Sequence, residues 1–298
     1  MLAQQILNGI VVGGVYALFA LGFTLIFGIH RILNLAHGAV FMAGAFVALY
    51  TVQAGLPLWA AFFVAAFAAG LMSVIVEVTA FRALRRLSVM DAEFGAMITS
   101  IGASLFIMSA FQRISQTRVV RFPFGTVPIE SVQLFGLRVT ILQLVMLACS
   151  VLLVLALTWY LYRTRWGRQV RAIAGNQKTA QLLGINPDFI FFQTFFISGG
   201  LAAAAGILIG LAFNSIHFMM GEPYLLRAFV VIVLGGLGSV PGALVGGLLF
   251  GMMHTLSTAY LPGLLVDGMI YSLLFVILLV RPNGLFGKGA PEGVGSRI

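Results

Sequence analysis

Ser239 and His254 are the residues in this 298-residue chain that most resemble a nucleophile and its base. If the chain between them is helical, they stand roughly 22 Å apart. A nucleophile needs its base within hydrogen-bond reach, so the pair is no dyad and an intramembrane serine protease is set aside. His217, on a predicted outer loop, should be solvated, and four histidines without paired carboxylates make a poor metal site. Cys149 is the single cysteine, which excludes an intrachain disulfide and a cysteine-built metal centre. The only Gly-Lys pair, Gly287-Lys288, is followed by Gly289 instead of Ser or Thr, so no phosphate-cradling loop is present and the chain does not hydrolyse ATP alone. Asp267 and Glu77 are the acids nearest hydrocarbon. Asp267 suits the first turn of a helix, where the dipole favours a carboxylate. Glu77 suits an inner helix end followed by Arg82, Arg85 and Arg86. A proton-coupled carrier wants an acid at mid-bilayer, and neither residue supplies a convincing one.

Asn34 and His37 differ from these. They lie three positions apart on one helix face, next to Gly38 and close to the start of an apolar run. Polar groups in lipid are costly and usually face the bundle interior. Two readings stay open: an interhelical hydrogen bond, often worth only about 0.6 kcal/mol, and a gate or pathway residue.

The elements that must position these groups follow from composition. Hydrophobic residues make up 61% of the chain and charged residues 8%, against roughly a quarter charged in soluble domains. The reading is an all-α polytopic membrane protein, one transmembrane domain over 1–298. The net charge of +9 is assigned to orienting loops, with membrane lipid as surroundings and no nucleic-acid partner. Apolar runs stand near 6–28, 32–52, 57–77, 94–112, 139–161, 190–213, 224–237, 241–258 and 263–281. They predict about eight membrane helices plus a re-entrant or broken pair. The first 29 residues carry no charge, which predicts a retained first helix, not a cleaved leader. Small residues at four-residue spacing, Gly9-Gly13, Gly206-Gly210, Gly242-Gly246 and Gly247-Gly251, favour close helix packing within the chain, with dimerisation the alternative.

Loop charges assign the sides. Basic stretches at 82–86, at 162–189 and in the tail (Arg281, Lys288 and Arg297 against Glu292) are placed in the cytoplasm. The C-terminus is then cytoplasmic and the N-terminus periplasmic. Parity forces 224–258 to enter and leave on the outer side. Its first limb, 225–237, is about 20 Å long, too short for roughly 30 Å of hydrocarbon. We read it as a half-helix whose turn, with Gly235, Gly236, Gly238 and Ser239, lies at membrane depth. The outer loop 113–138 breaks the charge rule with Arg113, Arg118, Arg121 and Arg138 against Glu130. The inner loop 162–189 patterns as one short amphipathic helix, with Ala172, Ile173, Ala180, Leu182 and Leu183 on an apolar side and Gly184 as its stop. Such a helix either lies on lipid or docks a cytoplasmic protein.

Five stretches together resemble a known family. They are Gly14-Val15-Tyr16-Ala17-Leu18 with Ala20-Leu21-Gly22; Arg31-Ile32-Leu33-Asn34-Leu35-Ala36-His37-Gly38 with Gly44; Arg171-Ala172, Asn176 and Ala180 to Asn186; Leu234 to Gly247; and Arg281-Pro282-Asn283-Gly284-Leu285-Phe286-Gly287. In that order they resemble the permease subunit of branched-chain amino-acid ABC importers, a family shared with urea, amide and ribose-type permeases. The resemblance implies a cytoplasmic coupling helix, with the family's Ala-x-x-x-Gly signature at Ala180 and Gly184, preceded by Thr179 where many ABC permeases carry Glu-Ala. It also implies two ATP-binding subunits, a second homologous permease or second copy, and a periplasmic binding protein. No cofactor is expected in this chain, ATP and Mg being bound by the partner ATPases. The expected home is the bacterial inner membrane. The expected coupling residues are Arg168, Arg171, Ala172, Asn176, Ala180, Leu183, Gly184 and Asn186. The expected pathway residues are Asn34, His37, Gly38, Gly235, Gly236, Gly238 and Ser239. Arg113, Arg118, Arg121 and Arg138 would meet acidic groups on the binding protein. Alternative substrates are urea, short amides, aromatic acids and sugars. The rival function is a stand-alone secondary transporter or channel.

Overall fold

The computed structural model describes residues 2–86, 89–126, 130–134, 136–281 and 284–286. The surroundings of the Arg85 and Arg86 side chains, and the tail residues Gly287, Lys288, Glu292 and Arg297, lie outside the described residues. Among the described residues run α1 (Leu2–His30), α2 (His37–Gln53), α3 (Leu58–Val76), α4 (Val89–Ile114), a hairpin β1 (Ser131–Leu134) and β2 (Leu137–Thr140), and α5 (Ile141–Arg163). Then follow α6 (Arg165–Gly175), α7 (Gln177–Leu182), α8 (Pro187–Phe213), α9 (Gly221–Gly235), α10 (Val240–Tyr260) and α11 (Gly263–Val280). Six of the helices, α1, α3, α4, α5, α8 and α10, are long and apolar enough to cross a membrane. The protein is an all-helical, multi-pass membrane protein. This follows from the chemistry of a lipid core, where every backbone group must be bonded within the segment.

The two ends of the bundle differ. At one lie the β-hairpin, the start of α1 and the end of α8. Gln4 brackets the Arg138 backbone there, Nε2 donating to Arg138 O and Oε1 accepting from Arg138 N. The Val120 and Ile216 backbones pair at the same end. At the other end lie the end of α1, α6 and α7, the start of α8 and the α9–α10 turn, where Gly238 meets Gly28. We call these the hairpin end and the α6 end.

α1 and α8 bury most of their lengths, and α3, α4 and α5 lie around them with broad apolar faces exposed. The glycine pairs explain how the centre closes. Gly9 and Gly13 of α1 face Gly247, Gly251 and Met252 of α10 backbone to backbone. A Cβ at Gly247 would collide with Ala17, and one at Gly251 with the Gly13 backbone. Gly206 meets the Phe41 carbonyl, Gly210 meets Ile216 and Phe122, and Gly242 and Gly246 meet α9. All four spaced pairs pack within the chain.

Two helices begin inside the bundle. α2 starts at His37, whose ring lies on Phe19. Phe19 is about 16 Å of helix from the end of α1. Residues 31–36 therefore climb from the α6 end into the interior without helical structure. α9 starts beside it: a Cβ on Gly38 would strike the Gly221 carbonyl, and one on Gly221 the Gly38 carbonyl. The irregular backbone at depth is thus 31–36 and the approach to Gly221. The Gly-rich turn at 235–239 is not at that depth. It lies against Gly28 near the end of α1, so the half-helix predicted there is broken at its start and not at its turn.

The tail closes the α9–α10 turn. Leu285 N donates to Leu234 O (2.9 Å) and Phe286 N to Gly235 O (3.0 Å). These occupy carbonyls that a helix end otherwise leaves unbonded. Gly284 has φ +75°, and a Cβ there would run into Gly236 and the Val233 carbonyl. Gly284→Ala should therefore release the tail, seen as a lowered melting temperature in detergent; wild-type melting would contradict the clamp. Gly247→Val should overpack the α1–α10 seam and cost roughly 1–3 kcal/mol. Gly268→Val, with nothing within 4 Å, should melt like wild type, and equal effects at the two sites would dismiss the seam.

Candidate translocation site and docking surfaces

His37 and Asn34 are buried side by side, at 0% and 2% exposure. His37 Nε2 lies 3.3 Å from Phe19 O. A carbonyl only accepts, so Nε2 carries the hydrogen. Ser198 Oγ donates to Gly22 O (2.7 Å) and stands 3.5 Å from His37 Nδ1. Phe19 stacks on the imidazole at 4.8 Å and Phe23 meets it edge-on. One side chain thereby ties α1, α2 and α8 together. Asn34 serves the interior start of α2: its Oδ1 accepts from Ala36 N (3.1 Å) and its carbonyl from His37 N (3.3 Å). Ser100 of α4 accepts from Leu35 N (3.2 Å). Gly38 touches a small enclosed void shared with Ser104, Glu222 and Leu225. In this conformation the three residues are enclosed and hold helices together.

Gly235, Gly236, Gly238 and Ser239 are elsewhere. Ser239 caps α10, its Oγ accepting from Gly242 N (3.1 Å). Gly236 and Gly238 take positive φ, +103° and +79°. At this turn the tail already bonds the Leu234 and Gly235 carbonyls. Gly238 and Ser239 do line a cavity of about 610 Å³ at the α6 end, with Thr24, Arg31, Arg171 and Phe286. Asn34 and His37 do not line it, so the two predicted halves of the pathway share no cavity here.

The 162–189 segment forms two helices where one was predicted. Asn176 breaks it: its φ of −156° is extended, and its Oδ1 caps α7 from Thr179 N (3.0 Å). Thr164 caps α6 and Asn186 caps α8 in the same way. Val170, Ile173 and Ala180 turn into the bundle, with Ala172 half-buried. Leu182 and Leu183 do not join them, and are 88% and 76% exposed. The predicted apolar side is therefore split, because the break at Asn176 turns α7 relative to α6. Gly184 ends the segment with φ +80° and open space around it. Arg168 and Arg171 are exposed, Arg171 lying over the Tyr162 ring at 5.1 Å.

Arg113, Arg118, Arg121 and Arg138 are all exposed at the hairpin end. A cavity of about 530 Å³ opens at the same end, bounded by Phe122–Thr126, Asn8, Gln143 and the end of α8, and none of the four arginines lines it.

Sequence reasoning missed Arg227. It lies in α9 with its side chain only 19% exposed, Nη1 donating to Tyr16 Oη (3.2 Å) and Nη2 to Asp267 Oδ1 (3.3 Å). Asp267 is the fifth residue of α11, past the first turn that the sequence suggests for it, and its carboxylate pairs with Arg227 instead. The signal was available, since Arg227 is the one charge inside the 224–237 apolar run and a membrane-embedded charge asks for a function. Glu77 is fully buried at a π turn (Glu77–Phe81), deeper than an inner helix end suggests.

Comparison with known proteins gives this architecture a family. Residues 5–279 match the family model described as branched-chain amino acid transport system / permease component. The high-affinity branched-chain amino acid transport system permease protein LivH of Salmonella typhimurium is 35% identical over 98% of this chain and 97% of its own. LivH of Escherichia coli K12 is 36% identical over the same shares. The corresponding BraD protein of Pseudomonas aeruginosa is 33% identical over 98% and 97%. The match over nearly the whole length, together with the multi-pass helical fold, places the chain: it belongs to the family of branched-chain amino acid transport system permease components.

Proposed function

We propose that this protein is the membrane-spanning permease subunit of an ABC importer that takes up branched-chain or related amino acids across a bacterial inner membrane. The observation that carries the substrate class is the 35–36% identity, over nearly the full length of both chains, to permeases named for branched-chain amino acids. The family works with an ATPase and a binding protein. Here we assign two ATPase subunits, a second homologous permease or second copy, and a periplasmic binding protein. The α6 end faces the cytoplasm and the hairpin end the periplasm, with the N-terminus outside and the C-terminus inside. Arg31, Arg82, Arg163, Arg165, Arg168, Arg171, Lys178 and Arg281 all lie towards the α6 end, which supports that orientation.

Mechanically, ATPase closure pushes on α6 and α7. Ile173 and Ala180 anchor that pair to the bundle, while Leu182 and Leu183 are free to enter an apolar socket on the ATPase. α6 packs on α1, α5 and α8, so a displacement there reaches the His37–Ser198–Phe19 junction and the interior starts of α2 and α9. Rearranging that junction opens and closes the path. The interior start of α9 resembles the discontinuous helices of transport sites.

Replacing Leu182 and Leu183 together by Asp should leave membrane insertion intact, since neither side chain packs on the bundle. It should also abolish substrate-stimulated ATPase activity and uptake. Full stimulation in that variant would remove α7 from the coupling surface. Arg118→Glu with Arg121→Glu should weaken stimulation by the binding protein at least tenfold and steepen its loss with salt, because rim charges act through association. Unchanged stimulation would refute docking there. Uptake of leucine by the reconstituted complex, with urea and ribose as competitors, tests the substrate class directly.

A further inference from the structure

We infer that Arg227 and Asp267 form a transit site for the zwitterionic head of an amino acid, Arg227 taking the α-carboxylate and Asp267 the α-ammonium. The inference rests on the amino-acid reading above and goes beyond it by naming the recognising groups.

Depth comes first. Arg227 bonds the hydroxyl of Tyr16, and Tyr16 is the midpoint of α1, about 21 Å of helix from either end. The pair therefore lies within an arginine's reach of the middle of the longest span. Charges at such depth are costly and face protein or a water-filled path. The Arg227 side chain is largely buried, whereas that of Asp267 is 56% exposed. An exposed carboxylate beside Gly268, Met269 and Tyr271 on α11 is not a surface to give to lipid. This face of α9 and α11 must meet water, solute or a partner subunit.

The pair is a single contact of 3.3 Å with one partner mostly open. Its geometry leaves valence free. Arg227 spends one nitrogen on Tyr16 and one on a single oxygen of Asp267, although a guanidinium can grip a carboxylate with two parallel bonds. Asp267 keeps its second oxygen without a bond to Arg227. An amino-acid head offers the complementary pair of charges. Inserted between them it exchanges one neutral pair for two and leaves no net charge in the membrane.

The surroundings hold the guanidinium in place. It lies 5.6 Å from the Tyr224 ring, which stacks on Tyr16. His254 packs on Phe250 and Tyr16. A side cavity of about 160 Å³, lined by Ser215, His217, Pro223 and Tyr224, ends at the ring that the guanidinium overlies.

The test is uptake of radiolabelled leucine by the complete importer in proteoliposomes, with Arg227→Gln, Asp267→Asn and the double variant. Each variant is expected to take up leucine at least tenfold more slowly, and the double variant to stay as slow as the singles while its complex melts at the wild-type temperature. A pair that served only to neutralise itself would behave differently: the double variant, carrying no unpaired charge, would recover uptake to within twofold of wild type. That recovery overturns the inference, as do single variants that transport at the wild-type rate, and either result leaves the functional reading standing. A wild-type complex that takes up urea or ribose but no leucine defeats the functional reading itself, and this inference with it.

Discussion

Backbone groups in an apolar bundle have no water to bond, and the rest of this structure depends on how two helix starts inside it meet that constraint. α2 begins beside Phe19, and the amides ahead of it would be orphaned in hydrocarbon. Asn34 accepts from Ala36 through its side chain and from His37 through its carbonyl, and Ser100 reaches across from α4 to take Leu35. α9 begins at the same place, backbone against backbone at Gly38 and Gly221. Neither start could exist without glycine at that contact, because a Cβ on either residue would occupy the other's carbonyl.

Consequences spread from this junction. His37 bonds a carbonyl of α1 and neighbours Ser198 of α8, so the unwound 31–36 segment is locked to the two most buried helices. The junction is held by a few side-chain bonds and glycine contacts, where a continuous helix would bond its own backbone throughout. The tail contributes at the opposite end of α9: its amides complete the helix that the chain finishes at Gly235.

The charged pair shows a different balance. Arg227 and Asp267 come from helices forty residues apart, and neither has a strong local reason to be charged. Tertiary packing brings them together near the midpoint of α1, and Tyr16 fixes one end of the guanidinium. A residue read alone as a helix-start acid thus becomes half of an ion pair once α9 lies beside α11.

Much of the fold was legible in the chain. Apolar run lengths located the membrane helices, because hydrocarbon thickness sets a length and charge cannot be hidden in it. The four-residue glycine spacing announced backbone-close packing, and it is used that way at Gly13, Gly206 and Gly247. The caps at Thr164, Asn176 and Asn186 follow from local chemistry, although Asn176 falls inside what the pattern suggests is one helix and breaks it in two. What the sequence could not state was depth and partnership. Gly235 to Ser239 looked like the deep discontinuity, since a short apolar limb precedes it. The true interior breaks are at 31–36 and ahead of Gly221, because depth depends on where α1 and α8 hold those segments. Leu182 and Leu183 fitted an apolar stripe on one ideal helix, yet the turn at Asn176 directs them outward. Composition and periodicity determined by themselves that the chain is a helical membrane protein with its positive charge in the loops. Only the tertiary structure decided which polar groups meet, because those meetings join residues tens to hundreds of positions apart and no local pattern records them.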